Sequence, residues 1–367
     1  MKVTEIDVSL HEDFDKHETV LRCFDKNSGL LAFIAIHNSN LGPALGGCRI
    51  WPYKSEEDAI TDVLRLSRGM TYKSALANLA LGGGKAVIIA DPKVMKTKAL
   101  IQAMGKFIES LQGRYITAED SGTSVGDIRV MARETSYIAG VQNKKLNDGS
   151  EASGDPSPMT AYGVFVGIKA SLQHKFGSND LSDIRVAVQG VGNVGRNLSK
   201  MLVDAGAKVM VSDMFQPAID RILNELDVTP IANEDIHKQA MEVYSPCALG
   251  GALNMNSLVD LQAPIVAGAA NNQLSTQSAG DYLFHKGIVY APDYVINAGG
   301  IIDIFYEREG YDHSKVMSHI EGIGTTLHDI FMMSEDQKAS TQSMADKLAE
   351  MRFLHHSHNT EIYSAIG

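Results

Sequence analysis

Cysteine is scarce in this chain: three in 367 residues, at Cys23, Cys48 and Cys247, with no metal-ligand spacing among them. That excludes a disulfide framework and suggests a reducing compartment. Positive charge is in deficit. Lys and Arg number 33 against 44 Asp and Glu, a net charge of -11. A nucleic-acid footprint, which is normally basic, is therefore not expected. No window approaches the roughly 18 to 20 apolar residues that span a membrane. The start, MKVTEIDVSLHEDFDKHETV, lacks the apolar core of a signal peptide, so a cytoplasmic protein is expected. Internal repeats and low-complexity segments are also missing. What is present is 44% hydrophobic and 21% charged residues, the balance of a soluble globular protein. The length exceeds one ordinary core, so two domains are expected.

The first third mixes strands and helices. Leu31 to Ile36 is a β-rich run, and Glu5 to Leu10 is a weaker candidate strand. Four of the six residues Gly42 to Gly47 are glycine or proline, which predicts a loop. Ser55 and Asp58 have capping-box spacing and open a helix with apolar positions 59, 60, 63, 64 and 70. It carries Lys73 near its end or in a turn past Gly69. A second helix is predicted over Lys98 to Gln112 with Gly113 as its C-cap. Tyr115 to Thr117 is a short strand running into Glu119 and Asp120, adjacent carboxylates of the kind that usually cap helices or face solvent. Residues 140–158 turn polar and glycine-rich, as an interdomain connection does, and a helix follows from Met159 to His174.

Gly69 to Pro92 holds Lys73 and Lys85, twelve residues apart. Lys85 follows Gly82, Gly83 and Gly84 and opens an apolar run, Ala86 to Ala90, typical of a buried strand. A lysine leaving a glycine turn at the root of such a strand would be partly desolvated, and desolvation lowers a lysine's pKa toward that of a general base. The bland alternative is a glycine turn followed by a solvated lysine.

Ile184 to Gln189 is a strand leading into Gly190-Val191-Gly192-Asn193-Val194-Gly195 and a helix, Arg196 to Asp204. A second strand, Lys208 to Ser212, ends at Asp213, 18 residues past the last glycine. This strand–GxGxxG–helix–strand–acid order is the dinucleotide-binding fingerprint. Its glycines make a tight turn and let backbone N–H groups approach a pyrophosphate. Asp213 would accept from ribose hydroxyls and repel a 2′-phosphate, which favours NAD over NADP. The alternative is an α/β turn that binds no nucleotide. Further on, the strand Pro264 to Ala270 ends at Asn271 and Asn272. Gly287 to Ala291 is another strand, and Asn297, Gly299 and Gly300 turn into a helix. The end is helical from about Val316 to Ala349. The tail from Phe353 carries His355, His356 and His358, which lack a Cys or carboxylate partner for a metal and read as a solvated tail. No metal site is predicted.

These segments together resemble the glutamate/leucine/phenylalanine/valine dehydrogenase family, and within it most of all the branched-chain members, the leucine dehydrogenases. The marks are GPALGGCR at Gly42 to Arg49, GMTYK at Gly69 to Lys73, LGGGK at Leu81 to Lys85 and TAED at Thr117 to Asp120. In the second half they are GVGNVG at Gly190 to Gly195, PCALGG at Pro246 to Gly251, AGAANNQL at Ala267 to Leu274 and YAPDYVINAGG at Tyr290 to Gly300.

The resemblance implies an α/β fold of two domains with a cleft between them. An N-terminal substrate and oligomerisation domain would span 1–145 and a C-terminal Rossmann-like NAD-binding domain 146–335. A helical tail, 336–367, would pack back on the first. It implies reversible NAD-dependent oxidative deamination of a branched-chain L-amino acid to a 2-oxo acid and ammonia, and a homo-oligomer, often an octamer. By resemblance Lys73 holds the substrate α-carboxylate, and Lys85 and Asp120 are catalytic. Leu45, Gly46, Met70, Ala118, Ile301 and Ile304 line the side-chain pocket, and Asn272 contacts substrate. Gly190, Gly192, Asn193, Val194, Gly195 and Asp213 hold NAD, with Thr160, Cys247, Ala248, Asn271 and Asn297. The chemistry asks for such a set: a cation to clamp the carboxylate, a base to activate water, and a carboxylate to carry protons to the nitrogen. Glutamate dehydrogenases carry a lysine where Leu45 stands, so an acidic side chain would lie here unpaired. Ile301 and Ile304, often valine in leucine dehydrogenases, would narrow the pocket. A phenylalanine or valine dehydrogenase on this scaffold stays open. So do a non-catalytic protein that binds NAD or an amino acid, and a purely structural oligomer.

Overall fold

The computed structural model describes residues 1–142, 144–145, 151–152, 154–248 and 250–364, the side chains of 145, 151–152 and 355–364 excepted. The chain divides into two compact units. The first comprises 1–154, 304–311 and 349–367, and the second 155–303 and 312–348.

Strands β1 (Lys2–Glu5), β2 (Thr19–Asp25), β3 (Leu30–Asn38), β4 (Ala44–Trp51), β5 (Gly82–Ile89) and β6 (Tyr115–Glu119) form the first sheet, in the order β1-β2-β3-β5-β4-β6. Neighbours from β1 to β5 run antiparallel, and β4 lies parallel to both β5 and β6. Helices α1 (Glu56–Leu76), α2 (Lys98–Glu109) and α3 (Val125–Met131) complete the layer structure. Side chains alternate across a strand, so each face has its own core. Phe33, Ala35 and Val87 pack with Ala59, Val63 and Leu64 of α1. Ile34, Ile36, Ala86 and Ile88 pack on the other side with Ile101, Met104, Phe107 and Ile108 of α2.

Helix α1 starts where Ser55 accepts the Asp58 N–H, and Glu56, Glu57 and Asp58 complement its positive end. It runs through Gly69, so Lys73 belongs to its last turn rather than to a following turn. The final residues of the chain return to this helix. Glu350 accepts from the Tyr72 hydroxyl at 2.8 Å, Arg352 donates to the Ala75 and Leu76 carbonyls, and Phe353 is buried against Tyr72 and His37. A short ladder, β7 (Lys144–Lys145) with β8 (Glu151–Ala152), lies in the first unit, where Glu307 accepts the N–H groups of Val141 and Gln142.

The second sheet is wholly parallel. It consists of β9 (Arg185–Gln189), β10 (Lys208–Ser212), β11 (Thr229–Pro230), β12 (Val243–Pro246), β13 (Ile265–Val266) and β14 (Val289–Tyr290), ordered β11-β10-β9-β12-β13-β14. The strand order reverses between β9 and β12, where doubly wound sheets gather ligands. The remaining helices are α4 (Ser157–Phe176), α5 (Asn193–Asp204), α6 (Gln216–Glu225), α7 (Met255–Val259), α8 (Gln277–His285), α9 (Asp293–Ile296), α10 (Gly299–Glu309), α11 (His313–Gln337) and α12 (Thr341–Ser364). No described helix is long and apolar enough to cross a membrane.

Several local expectations are corrected. Gly42 to Gly47 is not a loop throughout, since β4 begins at Ala44. The triple glycine before Lys85 is not a turn but the first part of β5. Atoms of other segments crowd those glycines: a Cβ on Gly83 would lie 2.0 Å from the Thr71 backbone nitrogen, and one on Gly84 2.8 Å from the Tyr115 ring. Residues 5–10 form no strand beyond the end of β1. The C-terminal helix is two helices, broken at Lys338, whose left-handed φ of 51° ends α11. The stretch from Phe353 continues α12 to Ser364, and the side chains of His355, His356 and His358, on which the expectation of a solvated tail turns, lie outside the described residues.

Candidate active site

In the first unit the period-two alternation decides what meets. Lys85 pairs across the sheet with Ala35, and Arg49 with Val87, so both cations share the face that α1 covers. Lys85 is buried, and its Nζ lies 2.5 Å from Asp120 Oδ2. Asp120 follows the last residue of β6 and is held there by local geometry. Its backbone N–H donates to Thr123 Oγ1, which donates in turn to the Cys48 carbonyl. The Asp120 Cβ occupies the space where a side chain on Gly47 would stand, 2.7 Å from that position. Glycine at 47 is therefore what lets the carboxylate settle over β4.

Burial pushes the Asp120 carboxyl up, but the charges of Lys85 and Arg49 outweigh it and hold it below the ordinary carboxylate range. An acid depressed in this way is ionised throughout the neutral range. The stability this contributes is present above the ordinary carboxylate pKa and lost only as pH falls through the lowered one.

Leu45 is buried on β4, in register with Gly83 of β5 and Ile116 of β6. Gly46 pairs with Thr117, and Gly47 pairs with the buried Ala118. A Cβ on Gly46 would lie 1.8 Å from the Gly84 carbonyl oxygen, so this position admits glycine alone. Met70 and Lys73 are half-buried on α1. The pocket residues expected as a pair near 300 fall in different units. Ile301 is buried in the second, whereas Ile304 belongs to the first, about 3.8 Å from where a Cβ on Gly140 would stand.

Sequence reasoning passed over Arg49, Asp62 and Tyr53. Arg49 Nε lies 3.3 Å from Asp120 Oδ2, and its Nη1 donates to Asp62 Oδ2 at 2.8 Å. The signal was an arginine interrupting the apolar strand that β4 turned out to be, hidden while that stretch read as loop.

In the second unit the parts of the glycine loop interlock. Gly190 has φ +95°, and a Cβ there would strike Ala248, while one on Gly195 would lie 1.9 Å from the Gly190 carbonyl. A Cβ on Gly192 would meet nothing within 4 Å. Gly192 N-caps α5 without any side-chain hydrogen bond, so the N–H groups of Asn193, Val194 and Gly195 open the helix beside clear space. That is the cradle a pyrophosphate needs, and these residues fit a dinucleotide. Asp213 stands at the end of β10. Its Oδ2 accepts the Val191 N–H at 2.8 Å and its Oδ1 the Phe215 N–H, which fixes the carboxylate beside the loop.

Cys247 follows β12, its N–H donating to the Gln189 carbonyl, and burial pushes its thiol up. Asn297 donates to Asn271 Oδ1 at 2.8 Å and to the Ala269 carbonyl. Asn272 is held at φ 52°, unusual for a residue other than glycine. Its carbonyl accepts from Gly251, and the next residue, Gln273, gives its N–H to Asp293. Thr160 sits on the first turn of α4, its hydroxyl 2.6 Å from where a Cβ on Gly300 would be. Cys247, Ala248, Asn271, Asn272, Asn297 and Thr160 thus all fall in the unit that holds the glycine loop.

Known proteins resemble this chain in sequence and fold. Residues 17–137 match the family model "Glu/Leu/Phe/Val dehydrogenase, dimerisation domain", and residues 153–216 and 213–356 match "Glutamate/Leucine/Phenylalanine/Valine dehydrogenase". A leucine dehydrogenase of Geobacillus stearothermophilus is 47% identical over 93% of this chain and 91% of its own. A valine dehydrogenase of Streptomyces virginiae is 44% identical over 93% of this chain and 95% of its own. The crystal structure of L-tryptophan dehydrogenase from Nostoc punctiforme superposes with a TM-score of 0.82 at 42% identity, covering 95% of this chain and 98% of that one. With both halves matched and relatives this similar along nearly the whole length, the chain belongs to the Glu/Leu/Phe/Val dehydrogenase family and is an amino acid dehydrogenase.

Proposed function

We propose that this enzyme interconverts a branched-chain L-amino acid, leucine foremost and valine or isoleucine besides, with its 2-oxo acid and ammonia, using NAD. The observation that carries the reading is the buried Lys85–Asp120 ion pair at 2.5 Å in a chain that also holds an intact glycine loop. Lys73 clamps the substrate α-carboxylate. Removal of hydride from Cα leaves an iminium, which water attacks. Lys85 takes the proton from that water and then steadies the oxygen as charge develops on it. Asp120 carries protons to and from the nitrogen. Asn272 helps to orient the substrate.

Bound NAD supplies the hydride acceptor. Gly190, Gly192, Asn193, Val194 and Gly195 would hold its pyrophosphate and Asp213 its ribose, with Thr160, Cys247, Ala248, Asn271 and Asn297 around the rest. The Asp213 carboxylate would repel a 2′-phosphate, which supports NAD over NADP.

Leu45, Gly46, Met70, Ala118, Ile301 and Ile304 line the side-chain pocket. Leu45, buried and uncharged, is the reason to expect aliphatic side chains and to exclude glutamate. One methylene is worth only about 1–3 kcal/mol of discrimination, so several branched-chain substrates should react. The match of residues 17–137 to a dimerisation domain supports a homo-oligomer, with an octamer as the size proposed and the cytoplasm as the proposed location.

The test is absorbance at the NADH band with a panel of L-amino acids, NADP run alongside. Leucine, isoleucine and valine should lead, with NAD strongly preferred. Glutamate or tryptophan as the best substrate would overturn the assignment of the side chain.

A further inference from the structure

Arg49 stands between two carboxylates. Nη1 donates to Asp62 Oδ2 at 2.8 Å, and Nε lies 3.3 Å from Asp120 Oδ2. The Tyr53 hydroxyl donates to the same Asp62 oxygen at 2.5 Å. Lys85 approaches Asp120 Oδ2 from the other side. Five side chains therefore form one line: Tyr53, Asp62, Arg49, Asp120 and Lys85.

The two contacts of Arg49 differ in kind. Toward Asp62 it is a hydrogen bond. Toward Asp120 the buried Nε makes none, so that contact is charge against charge. A cation that stabilises the carboxylate without bonding to it leaves the oxygen able to take a proton. Its charge is also permanent, since a guanidinium does not titrate in this range. Lys85 is different: as a base it is neutral for part of the cycle, and at that moment Asp120 would lose its compensating charge. Arg49 supplies one in every state. Asp62 draws part of that charge away, and Tyr53 keeps Asp62 in place.

Other groups near Asp120 do not offer the same control. Cys48 on β4 and Tyr115 on β6 are pushed up by burial and stay neutral. Asp127 at the start of α3 is matched by Lys96 at 2.8 Å. From α1, Asp62 acts through Arg49.

We propose that Arg49 is a positioning residue that returns Asp120 to its ionised form between proton transfers, and that Asp62, braced by Tyr53, sets how strongly it does so. The inference rests on the reading of Asp120 as the proton carrier. The plain alternative is that Arg49 merely ties β4 to α1 through Asp62.

The experiment is the pH dependence of kcat/KM for deamination in the full-length enzyme and in Arg49→Gln, Arg49→Lys, Asp62→Asn and Asp120→Asn, each checked for folding by circular dichroism. Losing the guanidinium should move the acid limb up by about one pH unit. Asp62→Asn frees more of the Arg49 charge for Asp120 and should move the limb down. Arg49→Lys should restore most of the limb. A structural tie would be weakened alike by Arg49→Gln and Asp62→Asn, lowering rates at every pH without moving the limb. That result, with Asp120→Asn inactive, overturns the inference and leaves the role of Asp120 intact. If Arg49→Gln does not fold, the downward shift in Asp62→Asn decides alone, and its absence overturns the inference. Near-normal turnover in Asp120→Asn would remove the proton carrier itself, and this inference with it.

Discussion

Glycines concentrate in two regions of this molecule and do opposite things there. At the β4–β5 seam of the first unit, Gly46, Gly47, Gly83 and Gly84 lie in extended strands, and what matters is the side chain they lack. Backbone atoms or neighbouring rings fill the space. In the loop between β9 and α5, Gly190 is chosen for a left-handed backbone and Gly192 for clear room at a helix end. The first region makes a site from charged side chains pressed into a sheet. The second makes one from bare N–H groups. One is rigid because it is full; the other is useful because it is open.

Three measurements would break or sharpen this contrast. The largest effect belongs to Lys85→Ala. If chemistry resides in the first unit and cofactor binding in the second, turnover should fall about a thousandfold or more, while NAD affinity from fluorescence titration stays within about twofold, roughly 0.4 kcal/mol. A parallel loss of NAD affinity would dissolve the division.

Next comes the glycine pair itself. Gly46→Ala drives a methyl group to 1.8 Å from a backbone carbonyl that has no rotamer to yield. It should cost about 3 kcal/mol of unfolding free energy or prevent folding. Gly192→Ala should change urea stability by less than about 0.5 kcal/mol, yet raise the KM for NAD about tenfold, roughly 1.4 kcal/mol. Equal stability losses in the two variants would mean that the loop glycine, too, is a packing residue.

The smallest effect is at Asp213. Asp213→Asn keeps an acceptor for the Val191 N–H while removing the charge. The ratio of kcat/KM for NADP to that for NAD should rise about tenfold, roughly 1.4 kcal/mol. An unchanged ratio would assign cofactor choice elsewhere in the loop.

The same contrast explains what the sequence made legible. The order β9–GVGNVG–α5–β10–Asp213 is readable because its glycines act locally: the turn they make is visible in their own spacing. The β4–β5 seam hid itself. Gly82 to Gly84 look like a turn to any local reading, and only Thr71, Asn38 and Tyr115, distant in sequence, reveal them as strand residues crowded by neighbours. Arg49 was overlooked for the same reason. A cation in a supposed loop carries no message, whereas in a strand beside Lys85 it does. The break at Lys338 had no signal at all, since neither glycine nor proline marks it.

The return of α12 to the first unit bears on the order of synthesis. Tyr72 and its partner Glu350 are separated by 278 residues, and the whole second unit is made between them. During translation the end of α1, with Lys73 one residue beyond Tyr72, must wait uncovered until that long insertion has been built. The helix turn that carries Lys73 is thus among the last parts of the first unit to be sealed. A nascent chain that already has its glycine loop would still lack the partners of Tyr72, Ala75 and Leu76 that α12 supplies.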